Sequence, residues 1–288
     1  MGDSFTIGRY RLDVVPEFGG PRMLPQDMFP ALTAERFAAI LPRLPPESFD
    51  PPSGKLVTSV HSWLVRGPDG LVMLVDTGSG NGKTRSKFPI FNNLNTDWLQ
   101  RLAALGVQPE QVTHVVNTHL HHDHVGWNTR MEGGAWVPTF RNARHLMPRL
   151  EAEGGPDLFP VWNYECFGDS VAPILVAGLA ELVDPPHEIL PGLRLLPAPG
   201  HSPGMMVLEV SDGQGGGALL AGDPMHHALQ LFAPELNTRF CQAPDQAAAT
   251  RRALLDRCAD EGFALGAIHF FAPRLLRVRR DGAAYAFR

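Results

Sequence analysis

From Leu56 onward the chain reads as short apolar runs separated by polar and glycine-rich breaks. LVTSVHSWLVR, a Gly67-Pro68-Asp69-Gly70 turn and LVMLVDTG predict a hairpin of β-branched strands that closes at Asp76. Trp98, Leu99, Leu102 and Leu105 share one helical face, with Thr96 as a candidate cap and Gly106 as the stop. THVVNTH reads as a short apolar strand. A helix is predicted around Ser170 to Leu182, strands at Leu193 to Leu196, Met205 to Val210 and Ala218 to Ala221, and a helix from Asp245 to about Asp260. Strands near Ala264 to His269 and Leu275 to Arg279 close the chain. Mixed strands with interleaved helices imply a layered α/β fold. Residues 81 to 95 show no period and read as a long surface loop.

Residues 1 to 52 hold nine of the 27 prolines, which argues against long regular structure there apart from a short helix near Thr33 to Leu41. The expected organisation is therefore a proline-rich N-terminal arm over residues 1–55, packing on a core domain over residues 56–288. No repeat of short period is visible.

Composition narrows the function classes. With 288 residues the chain can bury a sizeable core, and 25 Lys plus Arg against 30 Asp plus Glu give a net charge of -5. That balance excludes a polybasic nucleic-acid or membrane-surface protein. No apolar run reaches about 18 residues, so no membrane span is expected. The first residues lack an apolar signal region, which makes a cytoplasmic location the default expectation. Cys166, Cys241 and Cys258 are widely spaced and form no CxxC, so reduced thiols are expected.

The chemistry concentrates in Thr118-His119-Leu120-His121-His122-Asp123-His124, directly after the HVVNT strand. Four imidazoles and a carboxylate within six positions are too polar to bury unless something pairs with them, and a metal supplies that pairing. In an extended turn His119 and His121 share a face, whereas His122 points away and reads as exposed. Imidazole with carboxylate suits zinc, and iron, manganese and cobalt accept the same donors. Three further strand ends carry chelating groups: His201 in PGHSPG, Asp223 in AGD, and His269 in AIH. Strand ends are where α/β enzymes commonly build sites. DTG at Asp76 has no second copy to form an aspartic-protease dyad, position 77 departs from a phosphate loop, and no GxSxG is present.

The order HxHxDH, PGHSPG, GD and a late His over roughly residues 56 to 280 resembles the metallo-β-lactamase superfamily of hydrolases. The resemblance implies an αββα sandwich of two mixed sheets flanked by helices. Carried over by position, His119, His121 and His201 would bind one divalent ion and Asp123, His124 and His269 a second, with Asp223 bridging. Two ions per chain are implied, zinc first. Asp76 would support the ligand loop from outside the ligand set. Two divalent ions make hydroxide available near neutral pH and polarise a carbonyl, so metal-assisted hydrolysis is the reaction class.

Within that superfamily, Asp223 argues against β-lactam hydrolysis and His121 against the diiron oxidoreductases, whose motif usually has Glu there. GDPMHH, Asn237-Thr238-Arg239-Phe240 and IHFFAPRLLRV are similar to the branch of acyl-homoserine lactonases and methyl-parathion-hydrolase-like enzymes. The implied activity is attack of the metal-borne hydroxide on a lactone or ester carbonyl, with Asp123 and His226 as catalytic residues. His226 stands where the compared lactonases usually carry a Tyr. Organophosphate, aryl-ester or thioester hydrolysis on the same metals is the alternative, and a metal-binding protein without turnover is the reading from another class. The expected partners are a small-molecule substrate and, as is common in that branch, a second copy of the chain as a homodimer, with no nucleic acid and no membrane. Phe88, Pro89, Ile90, Phe91 and Trp127 are candidates to wall an apolar pocket or to pack against the sheets.

Overall fold

VMLV at positions 72–75 is apolar throughout, as a strand covered on both faces must be, and it pairs in parallel with His114–Val116. The computed structural model describes residues 3–158, 165–211 and 213–288. Its chain divides into two compact units, one of Met1–Phe18 with Val60–His187 and one of Gly19–Ser59 with Glu188–Arg288.

The sheet of the first unit runs in the order Ser4–Ile7, Tyr10–Met23, Lys55–Arg66, Val72–Val75, His114–Val116, Arg144–Pro148, Ala180–Val183. Its last four strands are mutually parallel, whereas Lys55–Arg66 runs antiparallel to Val72–Val75, so the sheet is mixed. The helix Trp98–Ala104 packs Trp98 and Leu102 into a cluster with Leu64, Leu74, Val115 and Trp127. Trp98 and Trp127 stack with ring centroids 5.6 Å apart.

The sheet of the second unit is a simple succession of neighbours: His187–Leu190, Leu193–Pro197, Met206–Ser211, Gly217–Ala221, Phe263–Ala267, Leu276–Asp281, Ala284–Phe287. Gly217–Ala221 and Phe263–Ala267 are parallel, joined by a crossover containing the helix Pro244–Glu261. That helix begins with proline in its first turn and stops at Gly262 in the left-handed conformation. Its Leu254, Leu255 and Cys258 pack with Leu219, Leu265 and Leu276.

Three expectations change. Tyr10–Met23 is a 14-residue strand despite Pro16 and Pro21, because proline's fixed φ fits extended chain and removes only its own ladder donor. The helix near Ser170 ends early, at Ala172–Val176. Gly178 adopts φ 68, and Leu182 belongs to the strand Ala180–Val183. Thr96 does not cap the helix that follows: its hydroxyl is engaged by Asn81 and Glu17. The short helix in the N-terminal segment is present as Ala34–Ile40, capped by the Thr33 side chain on the Arg36 N–H. Among the described residues no helix is long and apolar enough to cross a membrane.

Candidate metal centre

Parallel register places the first group of chelating residues. Val75 pairs with Val116, so Asp76 and the Thr118 to His124 loop leave adjacent strands side by side. Asp76 is fully buried with φ 57, a left-handed conformation that Asp tolerates better than most residues, though at some strain. Its two carboxylate oxygens are occupied. Thr118 donates from its backbone N–H to Oδ1 and from its hydroxyl to Oδ2, each at 2.7 Å. His124 Nδ1 lies 2.7 Å from Oδ2. Burial pushes the Asp76 carboxyl up from its ordinary value, opposed by His124 and the two Thr118 donors.

This contact decides which nitrogen of His124 can bind a metal. With Nδ1–H held by Asp76, Nε2 is the donor left for an ion, the usual carboxylate–histidine–metal relay. His119 is set in the same manner. Its Nδ1 is 3.1 Å from the Thr118 hydroxyl and its Nε2 is 3.0 Å from His121 Nδ1. Candidate donor atoms of Asp76, His119 and His124 lie within 4.8 Å of one another. Asp123 is buried next to them, with Oδ1 3.7 Å from His124 Nε2. The backbone of the loop is itself clasped: Leu120 N–H donates to the buried Glu151 carboxylate at 2.8 Å, and Cys166 Sγ lies 3.5 Å from the Leu120 carbonyl.

The second group arises from the other parallel pair. Ala221 is in register with Ala267, so Asp223 and His269, each two residues further on, emerge together. The hairpin whose arms meet at Pro197 and Met206 delivers His201 beside them. Three imidazoles then converge on one carboxylate. His201 Nε2 and His226 Nε2 are each 3.1 Å from Asp223 Oδ2, and His269 Nε2 is 2.9 Å from Oδ1. His269 is aimed by Ser59, whose carbonyl is 2.8 Å from Nδ1 and whose N–H donates to the His269 carbonyl at 3.0 Å. This donor set fits a divalent cation: borderline imidazole nitrogens gathered on a buried anion, with the Nδ1 side of His269 anchored.

His226 and His227 diverge although they are neighbours. His226 faces Asp223 and stacks on the His269 ring at 5.3 Å, and burial pushes its pKa below the ordinary imidazole value. His227 turns away, its Nε2 2.8 Å from the Ser48 carbonyl and its Nδ1 accepting from the Leu229 N–H at 3.1 Å. Burial pushes His227 down to about 4, so it is a neutral structural residue. Gln230 holds the His226 backbone through Oε1 at 2.8 Å, and buried Arg251 donates to the Pro224 carbonyl at 2.8 Å. His122, expected to be exposed, is not a solvent residue. Phe88 stacks on it at 4.6 Å and Phe91 meets it edge-on at 4.5 Å.

Glu17, Glu151, Gln230 and Arg251 are the supporting residues that sequence reasoning missed. None sits in a motif, and each acts on backbone atoms of a ligand-bearing segment.

The Asp76 relay carries a prediction. Asp76→Asn keeps the side chain's shape but puts an amide NH₂ against the Thr118 and His124 donors. Metal retention or activity should fall about 10- to 100-fold with the fold intact, as losses outside the ligand set do. Unchanged metal content and activity, read by elemental analysis and a hydrolase assay, would reduce Asp76 to a turn residue.

The profile of the Metallo-beta-lactamase superfamily matches residues 56–257. The N-acyl homoserine lactonase AiiA of Bacillus thuringiensis subsp. kurstaki is 30% identical over 122 residues, which are 42% of this chain and 42% of that protein. The chain thus spans less than half the length of the Bacillus lactonases it matches. AiiB, an N-acyl homoserine lactonase of Agrobacterium fabrum, is 26% identical over 198 residues, 61% of this chain and 66% of that one. Among solved structures, the hydrolase AbOPH of the β-lactamase superfamily aligns with a TM-score of 0.80 at 22% identity, covering 99% of this chain and 95% of that one. AidC, a dizinc quorum-quenching lactonase, aligns with a TM-score of 0.74 at 18% identity, covering 100% and 96%.

Proposed function

Because the chain belongs to the metallo-β-lactamase superfamily, we propose that it is a dinuclear metal-dependent hydrolase acting on a lactone or ester carbonyl. The observation that carries this reading is Asp223, a buried carboxylate with three imidazole nitrogens within 3.1 Å. The proposal assigns His119, His121 and His201 to one ion, Asp123, His124 and His269 to the other, and Asp223 to both. Zinc is the first candidate by donor chemistry. The similarity to proteins named N-acyl homoserine lactonases supports the choice of carbonyl substrate.

When bound, two such ions supply Lewis acidity toward a carbonyl oxygen and lower the pKa of water toward neutrality. The chain's own residues do the rest. Asp76 and the Ser59 carbonyl hold the Nδ1 sides of His124 and His269, which keeps both Nε2 atoms aimed. Asp123, besides its place in the ligand set, is a carboxylate able to take up the proton released by the attacking water. His226, beside Asp223 and His269, is positioned to donate a hydrogen bond or proton to the substrate. Phe88 and Phe91, packed on His122 of the ligand loop, offer an apolar wall for an acyl chain.

Metal analysis of the purified protein combined with a lactone, alkyl-ester, thioester and phosphotriester panel tests the reading. Two metals per chain and fastest turnover of lactones are expected. Faster turnover of phosphotriesters than of any lactone would favour the organophosphate alternative, and a fully active chain with one metal would sink the dinuclear mechanism.

A further inference from the structure

Glu17 lies far in sequence from every ligand, in the segment VPEFGGP, and is buried in the first unit. Its carboxylate accepts from four donors. Ser79 N–H reaches Oε2 at 2.6 Å, while Gly80 N–H, Trp127 Nε1–H and the Thr96 hydroxyl reach Oε1 at 3.1, 2.8 and 3.3 Å. A buried carboxylate with this many donors and no apolar role is there to organise them.

Three of the four donors come from two segments with a specific relation. Residues 76–80 follow the strand Val72–Val75 and carry Asp76, and residues 124–127 end the ligand loop and carry His124. The two segments interlock through their backbones. Thr77 N–H donates to the His124 carbonyl at 2.8 Å, Gly126 N–H to Gly78 at 2.7 Å, and Trp127 N–H to Thr77 at 2.9 Å. They approach so closely that a Cβ on Gly126 would lie 1.9 Å from the Ser79 carbonyl carbon. The first segment holds Asp76, Gly78 and Gly80 all at positive φ, a backbone that does not persist unless its surroundings impose it.

We propose that Glu17 is a positioning residue for the metal centre: by binding Ser79 and Gly80 on one segment and Trp127 on the other, it locks the Asp76–His124 pair that aims His124 Nε2. This rests on reading His124 as a metal ligand, as argued above. The sequence of action is Glu17 to loop backbone, loop backbone to Asp76, and Asp76 Oδ2 to His124 Nδ1–H. A misplacement of the carboxylate relative to the imidazole would turn the ring without removing any ligand.

The test uses the full chain and two readouts. One is the Nδ1–H proton resonance of His124 in metal-free protein, assigned by its loss in His124→Gln. The other is zinc affinity measured by chelator competition. Glu17→Ala should abolish or strongly shift the His124 resonance and weaken zinc binding about 10- to 100-fold in protein that remains folded by circular dichroism. Glu17→Gln, which keeps the shape and loses one acceptor, should lie between; it carries the test if the alanine variant does not fold. Trp127→Phe severs Glu17's hold on the second segment while Ser79 and Gly80 stay held, and should weaken zinc binding and shift the His124 resonance in the same direction as Glu17→Ala but less. A Glu17 variant that is less stable yet keeps the His124 resonance and wild-type zinc affinity would overturn the proposal and leave Glu17 a purely structural residue. The resonance is read without metal, so this outcome is separate from failure of the wild-type chain to bind zinc, which would overturn the functional reading instead.

Discussion

On the proposed dinuclear reading, Asp223→Ala should strip the protein of both metals and reduce kcat/KM by well over the roughly 100-fold that follows loss of a residue merely supporting a ligand. The reason lies in what the carboxylate gathers. His201, His226 and His269 all direct Nε2 at its two oxygens. Without that anion, the three buried imidazoles lose the negative charge that gathers them. If Asp223 serves both ions, neither set of nitrogens retains its affinity once it is gone. Elemental analysis after gel filtration, paired with circular dichroism, checks this. A folded Asp223→Ala protein that keeps its full metal content would refute the shared-ligand assignment. Asp223→Asn, which preserves shape but halves the acceptor capacity and removes the charge, should fall in between.

The second large effect concerns His226 and the leaving group. An alkoxide needs a proton as it departs, whereas a nitrophenolate leaves without help, so a general acid matters for the first and hardly for the second. His226→Phe should cost about 10²- to 10⁴-fold in kcat/KM on a lactone or alkyl ester and much less on a nitrophenyl ester, with metal content preserved. The competing role is visible in the structure: burial favours the neutral imidazole, and a neutral ring can polarise a carbonyl through its single N–H. Carbonyl polarisation is needed by both ester types. Equal losses on the two substrates would therefore rule out the acid role and leave polarisation or positioning.

The difference between what the sequence reveals and what it conceals follows from periodicity. His119, His121, Asp123, His124, Asp223 and His269 stand at the ends of apolar runs, where a polar group is conspicuous and the strand predicts its direction. His201 is marked by its Gly/Pro loop. The strands of the second sheet and the long helix before Gly262 are legible for the same reason. Glu17 is not, because its strand is interrupted by prolines and alternates poorly. Arg251 reads as a solvent-facing helix residue in TRRALL, yet it is buried and donates to the Pro224 carbonyl. For His122 the alternation rule gives the wrong environment. The covering rings of Phe88 and Phe91 come from a loop more than 30 positions earlier in the chain, and no local pattern reports that contact.

The close approach at Gly126 has a bearing on how this protein can be altered. A designer who wishes to change substrate preference would naturally randomise the stretch around the HxHxDH motif, since it is rich in chemistry. Position 126 should be left out of such a library. Any side chain there enters the Ser79 backbone, and the segments that set His124 must separate to admit it. Clones mutated at 126 would then be discarded as inactive for reasons unrelated to selectivity. Phe88 and Phe91 meet the ligand loop at the His122 ring and are partly exposed, so diversity spent on them changes the cover of that ring and not the backbone that sets His124.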